Sequence, residues 1–395
     1  MAVLVRKVGA RHLELIEDAV QFALVAALGA WTESERPDEP SAWLHQVALH
    51  RLIQELRRES GRLQILNRHA ADFERAGRAV EPYFAQEISD DLLRMLFVCC
   101  DEAIPPESQL VLALKTLCGF SSAEVALRLF TSESNVQKRL TRARERLRHA
   151  PELDPSSGLS ELRARLPSVH AVLYQLFNEG YLSARASLSI RRELCDEAVR
   201  LMTLLAEHPA GAGPESAALL ALMHLHAARL GSRTDATGGL LLLEEQDRSL
   251  WDGERIRLGL EWLDRSAVGS VFSRFHAEAG IAAEHCLAAS FEQTRWQEIA
   301  RSYAMLERIA PSPLHTLNRS IAVAEWQGPL AGLRLLQELS PPSWLADSYL
   351  WDAVMADLHR RAGHSEIARQ HRDRALDSAP TEALRALLAR RLSSL

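Results

Sequence analysis

Apolar residues recur at intervals of three and four along almost the whole chain, as at Leu13, Ile16, Val20, Ala23, Leu24, Ala27 and Leu28, which is the period of amphipathic helices. Alternating apolar and polar runs, the mark of half-buried strands, are nearly absent. Proline and glycine fall between the periodic segments, as at Pro37 and Pro40, Pro105-Pro106, Pro151 and Pro155, Pro209 to Pro214 and Pro341-Pro342, and so read as connections. The pattern predicts an all-α protein. Residues 1–60 carry two or three helices, residues 61–87 are polar and weakly periodic and read as a linker, and residues 88–150 form a compact helical unit. Residues 151–395, beyond the Pro- and Ser-rich segment Pro151 to Gly158, read as helical hairpins.

The densest pattern lies between residues 105 and 149. Pro105-Pro106-Glu107 opens a helix through Leu110, Leu112, Leu114 and Leu117, with proline in the first turn where its missing N–H costs nothing, and Gly119 stops it. Ser121-Ser122-Ala123-Glu124 has the form of a capping box and opens a short helix from Ala123 to Phe130. Thr131-Ser132-Glu133-Ser134 reads as a turn, and a longer helix follows with Val136, Leu140, Ala143 and Leu147 on one face. Asn135, Gln137, Lys138, Arg139, Arg142, Arg144, Arg146 and Arg148 lie off that face. A short helix, a turn and a second helix led by Ser, Asn, Gln, Lys and Arg form a helix-turn-helix. Asn and Gln pair with adenine edges, Arg and Lys with guanine, and the other cations meet phosphates. A basic face can also be an ordinary solvated surface. Six Lys/Arg against the single acid Glu145 between Lys138 and Arg148 favour DNA.

Composition narrows the class without naming a function. The 395 residues are 47% hydrophobic and 25% charged, enough for full cores and unlike a disordered chain. The net charge of −6 excludes a bulk-basic nucleic-acid coat, so local clustering must carry any DNA contact. The five cysteines, Cys99, Cys100, Cys118, Cys195 and Cys286, include no C-x-x-C pair and read as small buried hydrophobes. Ala19 to Thr32 is too short to span a membrane, and the first residues lack a signal-peptide pattern, so a cytoplasmic protein is expected.

The segments Glu17-Asp18-Ala19-Val20-Gln21 and Pro40-Ser41-Ala42-Trp43-Leu44, continuing through Val47-Ala48 to Leu56-Arg57-Arg58, together with the helix-turn-helix, resemble conserved regions two and four of bacterial extracytoplasmic-function sigma factors. Leu173 to Tyr181 with its Asn178-Glu179-Gly180, Leu194 to Ala198, Leu243 to Trp251 and Leu317-Asn318-Arg319 resemble the large C-terminal extension of one subgroup. The resemblance covers nearly the whole chain. It implies two small helical sigma domains, a region 2 bundle at 1–60 and a region 4 helix-turn-helix at 88–150, then a helical-repeat, tetratricopeptide-like regulatory domain at 151–395. It further implies that Asp18 and Gln21 bind core RNA polymerase. Trp43, His50, Arg51, Arg57 and Arg58 would bind the −10 promoter element, and Ser134, Asn135, Gln137, Lys138, Arg139, Arg142 and Arg146 the −35 element. The implied partners are core RNA polymerase and promoter DNA, with an intramolecular contact of the C-terminal domain to the sigma regions. The chain departs from the subgroup at Ala48-Leu49-His50, where Ala-Arg-Asn is frequent, and at Phe22, where Glu often follows the matched Gln.

The C-terminal zone offers little chemistry. Its histidines include Met223-His224-Leu225-His226, whose spacing puts the two rings on different faces, and none has metal-ligand spacing. Glu244, Glu245, Asp247, Asp252 and Arg248 come without a nucleophile or phosphate loop, so no enzyme activity, cofactor or metal is expected. Gln246, Asp247, Arg248 and Trp251 read as a polar connection between helices, or as a ligand or partner surface. Gly328 and Gly363, each between two helical segments, are 35 residues apart, close to the tetratricopeptide period of about 34. The alternative to a sigma factor is a helical-repeat scaffold or DNA-binding regulator that never engages polymerase.

Overall fold

The computed structural model describes residues 1–31, 37–60, 88–149, 158–183 and 190–392, with only the backbone at Arg6, Arg57, Glu59 and Ser60. The expected linker at 61–87, most of the acidic loop after Trp31 and the Pro/Ser segment before Gly158 lie outside the described residues. Within them the chain is helical, and the one β-bridge joins Thr234 to Leu240. No helix among them is long and apolar enough to cross a membrane.

The chain divides into two compact units, residues 1–126 with 131–172, and residues 127–130 with 173–395. The first unit begins with α1 (Ala2–Val8), α2 (Leu13–Ala30) and α3 (Pro40–Ser60). Ile16, Ala19, Ala23 and Ala27 line the inner face of α2 and are buried, as are Ala48 and Leu52 of its neighbour α3. Next come α4 (Asp91–Cys99), α5 (Pro106–Thr116), α6 (Ser122–Arg128) and α7 (Glu133–His149). Asp90 caps α4 by accepting the Leu93 N–H at 2.8 Å, and Pro106 occupies the first turn of α5.

The capping box at α6 is present. The Ser121 hydroxyl accepts the Glu124 N–H at 3.1 Å, and the Glu124 carboxylate accepts the Ser121 N–H at 2.6 Å. Two boundaries differ from the sequence reading. Helix α6 stops at Arg128 rather than Phe130, because Phe130 takes a left-handed φ of 50° that ends the helical path, and α7 starts at Glu133, inside the expected Thr131–Ser134 turn. Proline also does not stay between helices. Helix α8 (Leu159–Tyr181) contains Pro167, whose ring removes one intrahelical hydrogen bond. Arg165 on the same helix is buried yet matched, with Asp101 at 2.8 Å, Glu161 at 2.7 Å and the Phe97 carbonyl at 3.0 Å.

The second unit continues through α9 (Arg192–Glu207), α10 (Pro214–Ala227), α11 (Gly253–Ser266), α12 (Arg274–Leu287), α13 (Trp296–Ile309), α14 (Pro313–Gln327), α15 (Pro329–Gln337), α16 (Ser343–Ala346), α17 (Tyr349–Arg361), α18 (Ser365–Asp377) and α19 (Glu382–Arg391). Helix α10 is apolar all round and buried along nearly its full length. The later helices pack as successive neighbours over small cores, one of them built on Leu317, Leu333, Leu345 and Leu358. Gly328 and Gly363, with φ of 90° and 81°, end α14 and α17 in a conformation that only glycine adopts without strain, which gives the 35-residue recurrence a structural meaning.

All five cysteines are free; Cys99, Cys100 and Cys195 are buried, while Cys118 and Cys286 are partly so. Burial raises the thiols of Cys100, Cys118 and Cys195 to about 12 and Cys286 to about 11, which makes them inert.

Candidate nucleic-acid interface

Helix α7 presents Val136, Leu140, Ala143 and Leu147 inward, and this fixes which side chains face water. The outer cations then split into two sets. Arg139 pairs with Glu107, Arg144 with Glu17 and Arg148 with Glu14. Lys138, Arg142 and Arg146 are exposed and have no carboxylate partner among the described residues. With Ser134 they form a single i, i+4, i+8, i+12 row. From Lys138 to Arg146 the row rises about 12 Å, comparable to the width of the DNA major groove.

The amide side chains that could read bases are held inside the motif. Asn135 donates to the Thr131 hydroxyl at 2.9 Å, and Gln137 donates to the Ser122 hydroxyl at 2.6 Å, tying the start of α7 to the turn and to α6. Ser134 and Gln137 remain exposed.

Glu17 shows why the paired cations form a separate set. It accepts from the Thr116 hydroxyl at 3.0 Å as well as from Arg144, so α2 is tied to α5 and α7 through one carboxylate. Burial pushes that carboxyl above its ordinary value, while Arg144 opposes the shift. The sequence reading passed over Glu14 and Glu17 as site residues; the signal was their i, i+3 spacing, matched to Arg144 and Arg148 at i, i+4.

On α3, Trp43 meets the ring of Trp31 edge-on at 5.2 Å. Arg51 bonds Glu55 at 2.7 Å and lies 5.0 Å over the ring of Phe22, and Arg58 bonds Glu55 at 3.0 Å. The departure at Phe22 thus supplies a cation–π platform for a residue of the expected −10 set. His50 is exposed, whereas the side chain of Arg57 lies outside the described residues. On α2, Asp18 and Gln21 are exposed and share a face with Phe22, Val25 and Leu28. Leu28 is 85% and Val25 67% exposed, an apolar stripe that no described residue covers.

Residues 2–62 match the family described as Sigma-70 region 2, and residues 94–147 match Sigma-70, region 4. The chain belongs to the sigma-70 family. Residues 165–267 match a family of unknown function (DUF6596). An uncharacterized protein of Rhizobium meliloti (strain 1021) is 34% identical over 388 residues, which is 98% of this chain and 91% of that protein. No solved structure matches. Sigma-70 proteins bind core RNA polymerase and promoter DNA and are not themselves enzymes.

In this sigma-70 protein the C-terminal motif residues fall mostly into structural positions. Gly180 is required by close packing, since a Cβ there would lie 2.6 Å from the Cys195 backbone nitrogen. Glu179 is fully buried, pairs with Arg128 and accepts from the Ser183 hydroxyl at 2.7 Å. Arg128 also donates to the Leu182 carbonyl at 2.8 Å. Asp247 caps the turn Arg248–Leu250 by accepting the Ser249 N–H at 2.9 Å. Arg248 lies 4.6 Å over Trp251 and donates to the carbonyls of His285 and Ala288 at 2.6 and 2.7 Å. Gln246 is buried beside Arg229, and Asn178 lines a cavity described below.

Proposed function

We propose that the chain is a sigma factor of the extracytoplasmic-function type that directs core RNA polymerase to particular promoters in the cytoplasm, with its C-terminal helical unit controlling that activity. The observation that carries the DNA part is the row Lys138, Arg142 and Arg146, three exposed cations without acid partners on the second helix of a region 4 helix-turn-helix. In this reading Lys138, Arg142 and Arg146 meet phosphates, Arg139 exchanges Glu107 for DNA, and Ser134, Asn135 and Gln137 face the bases of the −35 element, the two amides exchanging their bonds to Thr131 and Ser122 for base edges. Trp43, His50, Arg51, Arg57 and Arg58 serve the −10 element. Asp18 and Gln21 dock on polymerase together with the apolar stripe of α2, which supplies the buried area that a stable protein interface needs.

Control by the C-terminal unit is supported by residues 127–130, the end and turn of the region 4 motif, which fall in the second unit. Arg128 there is matched to the fully buried Glu179, and Phe130 lies 4.8 Å from the ring of Trp344. The test is promoter-directed transcription with bacterial core polymerase on DNA from upstream of the protein's own gene. Asp18→Ala with Gln21→Ala should abolish polymerase binding, and Arg128→Ala should change transcript yield while polymerase binding is kept. Polymerase binding that survives the α2 pair would leave a DNA-binding scaffold instead.

A further inference from the structure

The second unit holds a cavity of about 710 Å³ that is partly open to solvent, within the size range of small-molecule sites. Tyr303, Leu306, Trp344 and Leu384 give it an aromatic and aliphatic wall, and His226, Arg229 and His285 gather on its lining. The other guanidiniums on the lining are neutralised. Arg128 has Glu179, and Arg274 has Glu278 at 2.7 Å.

Arg229 has no such partner. It is 8% exposed, no described carboxylate lies within ion-pair distance, and its contacts are long ones to the Gln246 side-chain oxygen at 3.4 and 3.5 Å and the face of Trp251 at 5.3 Å. A buried cation left this way is destabilising unless something absent from the structure matches it. Nearby, Nδ1 of His226, Nδ1 of His285 and Nη2 of Arg248 are also buried without a hydrogen-bond partner. Of these residues His226 and His285 line the cavity with Arg229, and an unmatched charge beside two imidazoles with unused nitrogens is what an absent negative group would complete.

We infer that this cavity binds a small organic anion, its carboxylate or phosphate head on Arg229 beside His226 and His285 and its apolar body along Tyr303, Leu306 and Trp344. Any effect of that ligand on transcription rests on the sigma-factor reading; the binding itself does not.

The test is calorimetric titration of the full chain with 4-phenylbutyrate, phenyl phosphate and the uncharged 4-phenylbutanamide. One or both anions should saturate the protein, and which one does identifies the head group; the amide should bind at least ~10-fold more weakly, the usual effect of losing one charged hydrogen bond. Arg229→Gln should lose ~10-fold or more in anion affinity while raising the thermal midpoint of the ligand-free protein, because it removes unmatched buried charge. His226→Phe keeps a ring beside Tyr181, 5.0 Å away in the native protein, and should weaken the anions without unfolding the chain. Equal binding of acid and amide, undiminished affinity in both variants, or no saturation by either anion below ~10 mM would overturn the inference.

Discussion

Neutralising the α7 row is the sharpest perturbation of the DNA interface, because the structure separates cations free to meet phosphates from cations already spent on acids. In Lys138→Gln/Arg142→Gln/Arg146→Gln three unmatched charges disappear, whereas in Arg144→Gln/Arg148→Gln the losses fall on pairs with Glu17 and Glu14. Each phosphate contact contributes about 0.9 to the slope of log affinity against log salt, so the triple variant should lose about 2.7 from that slope. Between ~50 and ~200 mM salt this corresponds to roughly 40-fold less loss of affinity than the parent shows. The assay is fluorescence anisotropy on labelled duplex DNA across a salt series, with helix content checked for each variant. The Arg144/Arg148 variant should keep the parental slope and instead melt at lower temperature, since Glu17 is left with a half-buried carboxylate and no cation. Equal slope changes in the two variants, or none in the triple, would refute the division of the helix into two faces.

Three other outcomes follow from the packing. Glu179→Ala should destabilise the chain by about 3–5 kcal/mol in chemical denaturation, since Arg128 would be left without its carboxylate, and a loss under about 1 kcal/mol would mean that the pair is solvated. Gly180→Ala should cost about 1–3 kcal/mol in the same measurement, because its Cβ must displace the backbone at Cys195. Burial holds His170 and His224 at about 4, and burial with Arg229 nearby holds His226 and His285 at about 3, against 6.5 for an ordinary imidazole. Folded-state values below the unfolded value mean that their contribution is present above pH ~6.5 and is lost as the pH falls towards the folded values, by up to about 1.4 kcal/mol per unit and group. Thermal midpoints should therefore fall between pH 6.5 and pH 4, and a flat profile there would contradict neutral buried rings.

The sequence made the helices legible because the apolar period of Leu13 to Leu28 and of Val136 to Leu147 is dictated by which face must be buried. Local chemistry was legible for the same kind of reason: Ser121 with Glu124, and the recurrence of Gly328 at Gly363, depend on residues close along the chain. What stayed hidden depends on partners far apart in sequence. Nothing local says that Arg144 faces Glu17 across more than a hundred residues while Arg142, two positions away, faces none. Phe22 departs from the subgroup pattern, and only the fold shows Arg51 lying over its ring. Pro167 was invisible as a helix residue because the packing of α8 and the anchors of Arg165 outweigh one lost backbone bond. The histidines of α10 show no metal-ligand spacing in the sequence, and only the fold brings His226 together with Arg229 and His285 on the lining of one cavity.

Reconstituted transcription tests most directly the proposal that this sigma-70 protein directs polymerase to particular promoters. Purified full-length protein with bacterial core polymerase, on DNA from upstream of its own gene, should give a discrete transcript that disappears with Asp18→Ala/Gln21→Ala and with the Lys138/Arg142/Arg146 triple variant. A transcript that persists in both variants, or polymerase that never binds the protein, would contradict the account.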